Sequence, residues 1–267
     1  MMKKNTMKKY LGPKETEVIA RLSYEKINFI TQEQFDRYFG FNSSTRKQVI
    51  FRLKKKGILI SINRGVYYYS PLESGPSGRN VNDYLIPSVL FPKGDYYVGY
   101  STMYNYYGFT EQIYQTMYIL NTRIQREKVI KNTRFKMVKV SQKRIYGLRK
   151  INIENANVKV SDKERTLVDL IYFSEPVGGL QVAFEILIKQ VLSNKIDISK
   201  LIKYTSRYPS VSTRKRIGFV LEKNGISENR LIILRNTVKN TSLTTLYNTK
   251  TRKGKINKRW MVIENAA

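Results

Sequence analysis

TQEQFDRYFGFNSSTRKQVIFRLKKKGILISINRGVYYY, residues 31–69, decides the fold of the first part of this chain. Thr31 and Gln34 have the spacing of a capping box, in which each side chain takes up the other residue's free backbone N–H. The pair opens a helix that buries Phe35 and Phe39, and Gly40 ends it. Phe41-Asn42 makes a tight turn, after which Ser43 or Ser44 caps another helix running to Lys56, with Gly57 as its stop. Ile58 to Ile62 reads as a strand, Asn63-Arg64-Gly65 as a turn and Val66 to Tyr69 as the return strand. Upstream, Val18, Ile19 and Leu22 are spaced for one face of an earlier helix. Helix, helix, turn, helix, hairpin is the order of a winged helix-turn-helix, predicted here over residues 14–71.

The charges fit that order. On the helical period, Val49, Ile50 and Leu53 share one apolar arc about 100° wide. Ser44, Lys47, Gln48, Phe51 and Lys55 fall on the opposite side. In helix-turn-helix docking the early residues of this helix meet base edges in the major groove. Lysine pairs with guanine, glutamine with adenine, and an aromatic ring suits a thymine methyl. Arg64 sits at the hairpin tip, suited to phosphate or the minor groove. The expected DNA-binding set is therefore Ser43, Ser44, Thr45, Arg46, Lys47, Gln48, Lys55 and Arg64. Arg46 lies close to the apolar arc, and periodicity leaves its direction open. From residue 14 to 70 there are 11 Lys+Arg and 5 Asp+Glu; all five acids precede Arg37 and seven of the bases follow it. The asymmetry favours nucleic acid. The alternative is a protein-interaction module with a solvated charged face.

Working outward, residues 1–13 read as a flexible basic tail ending at Gly12-Pro13. Pro71 to Gly78 is rich in Pro, Gly and Ser, which predicts a linker over 72–79 and a second domain over 80–267. At 267 residues the chain exceeds the ~100–200 of a usual domain, consistent with that division. The second part predicts strands at 96–98, 116–120 and 135–140 and a short helix that Ser101 caps and Gly108 ends. Ser161 with Glu164 predicts a second capping box, starting a helix through Leu167, Leu170 and Ile171. Further helices are expected near 179–193, 198–206, 211–223 and 227–239. The fold class is α+β: a winged helix-turn-helix followed by a mixed domain with a small sheet and a helical half.

Composition bounds the chemistry. There are 49 Lys+Arg against 20 Asp+Glu, a formal net charge of +29, which points to a polyanionic partner. Cysteine and histidine are both absent, removing disulfides, thiolate and imidazole metal sites, cysteine nucleophiles and histidine general bases. No metal, no cofactor and no catalytic role are expected. Neither an apolar run of membrane-spanning length nor a secretory pattern is present, so a cytoplasmic protein is expected. Residues 123–150 hold 11 Lys+Arg and a single acid, Glu127. The stretch from Arg235 to Trp260 holds eight bases and no acid. These runs define a candidate basic surface at Arg123, Arg126, Lys128, Lys131, Arg252, Lys253 and Lys255. Arg165 and Asp169 are an i,i+4 pair, read as structural.

Several strings, in order, resemble the AbiEi antitoxins of type IV toxin–antitoxin and phage abortive-infection systems. In the first domain they are Lys56-Gly57-Ile58-Leu59 and Asn63-Arg64-Gly65-Val66-Tyr67. In the second they are Gly99-Tyr100-Ser101-Thr102-Met103, Gly108-Phe109-Thr110-Glu111-Gln112, and Val160-Ser161 followed by Glu164 to Leu170. Arg216 to Glu222 and Gly254 to Trp260 complete the set. Thr102 stands where the family more often has alanine, and Phe109 where leucine is usual. The resemblance implies a bifunctional protein whose winged helix binds inverted repeats in its own promoter, as double-stranded DNA, and represses the operon. It implies a C-terminal domain that counteracts an AbiEii-like nucleotidyltransferase toxin without a stable complex. The competing expectation is a stand-alone winged-helix regulator whose C-terminal domain senses a ligand or dimerises.

Overall fold

Helix α1 (Pro13–Tyr24) begins on a proline, whose missing N–H costs nothing at a helix start. Its Val18, Ile19 and Leu22 are buried, the face the spacing predicted. A short strand β1 (Phe29–Thr31) leads into α2 (Gln32–Phe39). The Thr31/Gln34 capping box forms: Thr31 Oγ1 accepts from the Gln34 N–H at 3.1 Å, and Gln34 Oε1 from the Thr31 N–H at 2.8 Å. Gly40 closes α2 in the left-handed conformation. Helix α3 (Ser43–Lys55) is capped by Asn42 rather than by Ser43 or Ser44. The Asn42 side chain accepts from the Thr45 N–H at 2.8 Å, so the turn residue itself supplies the cap. At the other end the Gly57 N–H reaches Lys54 O and the Ile58 N–H reaches Leu53 O, both at 3.0 Å, a closure that needs the φ of +73° found at Gly57.

Strands β2 (Leu59–Asn63) and β3 (Val66–Tyr69) form the expected hairpin. Sequence reading missed β1, which is only three residues long and pairs antiparallel with β3, giving the sheet order β1-β3-β2. The core of this unit joins α1, α2, α3 and the sheet through Val18, Leu22, Ile30, Phe35, Leu53 and Tyr69. Glu15 on α1 is buried and ion-paired to Lys56 and Arg52, which ties α1 to the end of α3. A short 3-10 turn at Asp83–Leu85 and helix α4 (Ile86–Leu90) follow, and α4 packs against β2.

The computed structural model describes residues 10–71, 82–154, 156–249 and 251–266. The expected linker 72–79 and most of the expected tail, residues 1–9, lie outside the described residues. The chain divides into two compact units, Met1–Leu90 and Phe91–Ala267. Residues 82–90 therefore group with the first unit, where α4 meets β2, and not with the second domain expected from residue 80.

The second unit is mixed α and β. Strands β4 (Tyr96–Gly99), β5 (Thr116–Asn121), β6 (Arg126–Ile130), β7 (Thr133–Lys139), β8 (Leu148–Ile153) and β9 (Ala156–Ser161) form one sheet in the order β6-β7-β5-β4-β9-β8. β5 and β7 run parallel, as do β4 and β9; the other neighbours are antiparallel. Helix α5 (Ser101–Tyr106) crosses between β4 and β5. No side chain caps it, and Ser101 is already its first residue, against the expected cap. Helices α6 (Lys163–Tyr172), α7 (Leu180–Leu192), α8 (Ile198–Arg207), α9 (Val211–Lys223) and α10 (Glu228–Asn236) follow, close to the predicted spans. A small sheet of β10 (Thr244–Thr245), β11 (Lys255–Asn257) and β12 (Val262–Glu264) ends the chain, in the order β10-β12-β11.

The Ser161/Glu164 capping box does not form. Asp162 caps α6 by accepting from the Arg165 N–H at 2.9 Å. Ser161 instead shares a hydrogen bond with Thr166 Oγ1, and Glu164 accepts from the Asp197 N–H ahead of α8. A carboxylate one residue closer to the helix took the role that spacing alone assigned to Ser161.

Trp260, the chain's one tryptophan, is fully buried against α9. Its indole N–H donates to Glu222 at 2.9 Å, and its ring covers Gly218. The strings Arg216 to Glu222 and Gly254 to Trp260, far apart in sequence, thus form one packing unit. A Cβ on Gly218 would stand 2.0 Å from the ring. Gly218→Ala gains about 1 kcal/mol of helix propensity. It forces a ring that has no room to move, at a typical overpacking cost of ~1–3 kcal/mol. Net destabilisation is expected, read as a lower urea midpoint with Trp260 fluorescence as the probe; an unchanged or raised midpoint contradicts this packing.

Candidate functional site

The cap at Asn42 and the apolar stripe of Val49, Ile50 and Leu53 fix the rotation of α3 in the first unit. With that stripe inward, Ser43, Ser44, Lys47, Gln48, Phe51, Lys54 and Lys55 are exposed. Phe51 is 64% exposed, an aromatic ring set among polar and cationic groups. Among the described residues no carboxylate pairs with Lys47, Lys54, Lys55 or Arg64. Arg64 is exposed in the β2–β3 turn, and that turn is held by the Gln32 N–H donating to Gly65 O at 2.7 Å.

Two members of the expected set behave differently. Arg46 turns back onto α2, where it is ion-paired with Asp36 and only 12% of its side chain is accessible. It ties α3 to α2 and is not part of the outer face. Thr45 is half-buried, and its N–H is the one capped by Asn42. Lys54, absent from the expected set, is exposed beside Lys55. Its position in the last turn, adjoining the apolar arc, hid it from a reading centred on the helix start.

In the second unit the basic run falls on a sheet edge. β6 is the outermost strand, with Arg126 exposed and Lys128 half-buried. Burial, and then the neighbouring Arg126 charge, lower the Lys128 pKa. Lys131 is exposed at the turn into β7. Arg123 is exposed but engaged: its Nε lies 2.5 Å from Asp95 Oδ2 and its guanidinium rests over the Phe91 ring. Arg252, Lys253 and Lys255 are exposed ahead of and within β11, with Lys255 opposite Glu264.

The Arg165–Asp169 pair is internal. Arg165 Nη1 lies 2.5 Å from Asp169 Oδ1, and neither side chain is exposed. Arg144, which the sequence presented only as one base in a run, joins them at 3.5 Å and donates to Tyr100 and Tyr208, each at 2.7 Å. Tyr208 donates to Asp169 at 2.9 Å, and Arg165 to Tyr97 at 3.1 Å. Ring faces cover both guanidiniums: Tyr172 lies 4.6 Å from Arg144 and Tyr146 4.8 Å from Arg165. Two cations meet one carboxylate, and phenol dipoles and aromatic faces offset the remaining charge. Burial first, and the Asp169 charge second, push the phenols of Tyr97, Tyr100, Tyr104 and Tyr208 above their ordinary range. The cluster ties α6 to the sheet through Tyr97 and to the end of α8 through Tyr208. Among the described residues no group of three metal-ligating side chains occurs, and no helix is long and apolar enough to cross a membrane.

No protein-family model matches this sequence, and no curated protein matches it. In fold the chain is similar to the crystal structure of RV2827C protein from Mycobacterium tuberculosis, with a TM-score of 0.64 at 10% sequence identity. The match covers 95% of this chain and 92% of that one. At that identity the likeness concerns the fold alone.

The phenol cluster makes stability depend on pH with a definite sign. A folded pKa raised above the unfolded value contributes stability that is complete below the unfolded value of about 10 and lost as pH rises through the folded one. Urea midpoints should therefore fall as pH is raised from about 9 to 11, while absorbance near 295 nm shows these phenols still protonated in the folded chain. A midpoint unchanged over that range contradicts the arrangement. At neutral pH, Asp169→Ala leaves two buried guanidiniums without their carboxylate and should cost ~3–5 kcal/mol in the same measurement.

Proposed function

We propose that the first unit is a winged helix that binds duplex DNA through α3, and that the chain is an AbiEi-like antitoxin that represses its own operon. One observation carries the DNA reading. The outer face of α3 presents Ser44, Lys47, Gln48 and Lys55 without a carboxylate partner among the described residues, while acids of the same unit are engaged elsewhere. Asp36 is held by Arg46, Glu15 by Lys56 and Arg52, and Glu25 by Arg21. An unneutralised helix face with hydrogen-bonding groups near its start suits phosphate contact and base readout together. The hairpin carrying Arg64 and the β1-β3-β2 sheet support the winged-helix reading.

The antitoxin reading rests on the resemblance of the ordered strings, two of which pack on each other around Trp260. In this reading the second unit counteracts a nucleotidyltransferase-like toxin without a stable complex. The protein works by binding and carries out no chemical step of its own, inside the cytoplasm.

In a mobility-shift assay on its own promoter, Lys47→Ala with Gln48→Ala should weaken specific binding. Each good base contact is worth roughly 1–3 kcal/mol, so the loss should be about tenfold or more. Arg46→Ala should lower stability while leaving base preference unchanged, because Arg46 serves the α2–α3 contact. Equal binding of the wild-type chain to promoter and unrelated duplex would sink the repressor reading. Growth of cells co-expressing the operon's toxin should be rescued equally by the wild type and by the Lys47/Gln48 double variant; failure of both to rescue rejects the antitoxin reading.

A further inference from the structure

Helix α9 starts at Val211 on a hydroxyl-rich segment. Ser210 caps it, accepting from the Thr213 N–H at 3.3 Å and from Thr213 Oγ1 at 2.9 Å, and Ser212 Oγ lies 3.0 Å from Ser210 Oγ. This first turn opens on a cavity of about 600 Å³ within the second unit. Arg216, one turn further along α9, also lines it, as do Asn248 and Arg252. Among the described residues no Asp or Glu lines the cavity.

Arg216 is the telling residue. It is only 7% exposed, yet no carboxylate pairs with it among the described residues. Its Nε and Nη2 donate to Thr245 O at 3.2 and 3.0 Å, and Nη2 to Asn248 Oδ1 at 2.6 Å. Those bonds hold the guanidinium still and leave Nη1 without an acceptor among the described residues. Burial alone lowers its pKa to about 10, as expected of a cation taken out of water with no anion beside it. Elsewhere in this unit a buried arginine charge, that of Arg165, meets Asp169. Here the negative charge is missing, and the cavity adjoins the gap.

We propose that this cavity binds a phosphorylated small molecule, its phosphate held between the first turn of α9 and Arg216, its organic part against Tyr172, Leu243 and Ile263. Helix N-termini attract phosphate through free N–H groups and the helix dipole. A fixed guanidinium adds charge-assisted hydrogen bonds. The exposed Arg252 at the rim supplies a second cation, and the volume falls within the ~300–1,000 Å³ usual for small-ligand sites. The inference does not rest on the DNA reading of α3.

The test is calorimetry of the full chain with adenosine 5′-monophosphate, inorganic phosphate and adenosine as probes. One saturable site per chain is expected for the monophosphate, competed by inorganic phosphate, with adenosine weaker by roughly tenfold or more. Ser212→Asp sets a carboxylate in the phosphate position, where the helix dipole tolerates it. It should abolish that binding while Trp260 fluorescence and the urea midpoint stay those of the wild type. Arg252→Ala should weaken binding severalfold, and Lys131→Ala, on the sheet edge, should leave it unchanged. Absence of a saturable site, or binding at several sites per chain that Ser212→Asp leaves intact, overturns the proposal. So does displacement of the monophosphate by duplex DNA one for one with loss of DNA binding in Ser212→Asp, which would make the cavity part of a nucleic-acid groove.

Discussion

Asp169 stands at the point where the second unit is held together. Its carboxylate meets Arg165 one turn earlier on α6, takes the hydroxyl of Tyr208 from the end of α8, and faces Arg144 from the segment after β7. Arg165 in turn reaches Tyr97 on β4, in the middle of the sheet. One charge thus connects the sheet to the helical half. An unpaired ion in such a place costs several kcal/mol, so the surrounding elements are held where both guanidiniums keep their shared carboxylate. Tyr100, Tyr146 and Tyr172 close around the two guanidiniums, which accounts for part of the unusual tyrosine content.

The same scarcity of acid shapes the surface. With 20 acids against 49 bases, every carboxylate engaged inside or between elements leaves the exterior more cationic. Glu15, Asp36 and Glu164 are spent in this way on helix contacts, and Glu222 holds Trp260 and Arg259. The consequence is a pair of faces, on α3 and at the start of α9, where among the described residues cations lack a carboxylate partner and a polyanion or phosphate can supply the charge.

Much of the fold was legible before any coordinates. Helices α7 to α10 fell near their predicted spans because each combines an apolar stripe with a clear start or stop. Gly57 and Gly225 close helices as glycine should, at φ +73° and +85°. What escaped was mostly short or marginal, although β9, a six-residue strand inside the sheet, was not anticipated either. β1 has three residues, and β6 and β8 are sheet edges whose outward residues are charged, so neither shows a clean two-residue alternation. Caps slipped by one residue where two oxygen-bearing side chains were adjacent: Asn42 displaced Ser43, and Asp162 displaced Ser161. Spacing identifies a cap region; which side chain reaches the free N–H depends on backbone angles.

By itself the sequence determined the local elements, the inward face of α3, the excess of positive charge and the lack of histidine and cysteine chemistry, because these follow from periodicity and residue type. Only the tertiary structure decided where charges meet. It turned Arg46 onto Asp36, moved residues 82–90 to the first unit and brought Arg144 and Tyr208 to the Arg165–Asp169 pair of α6. It also left Arg216 buried beside a cavity that no Asp or Glu lines among the described residues. Apart from the i,i+4 pair on α6, these pairings join residues 10 to 39 positions apart, and no local pattern encodes them. They arise when burial removes water as the alternative partner and each charge must take whatever group the packing brings to it.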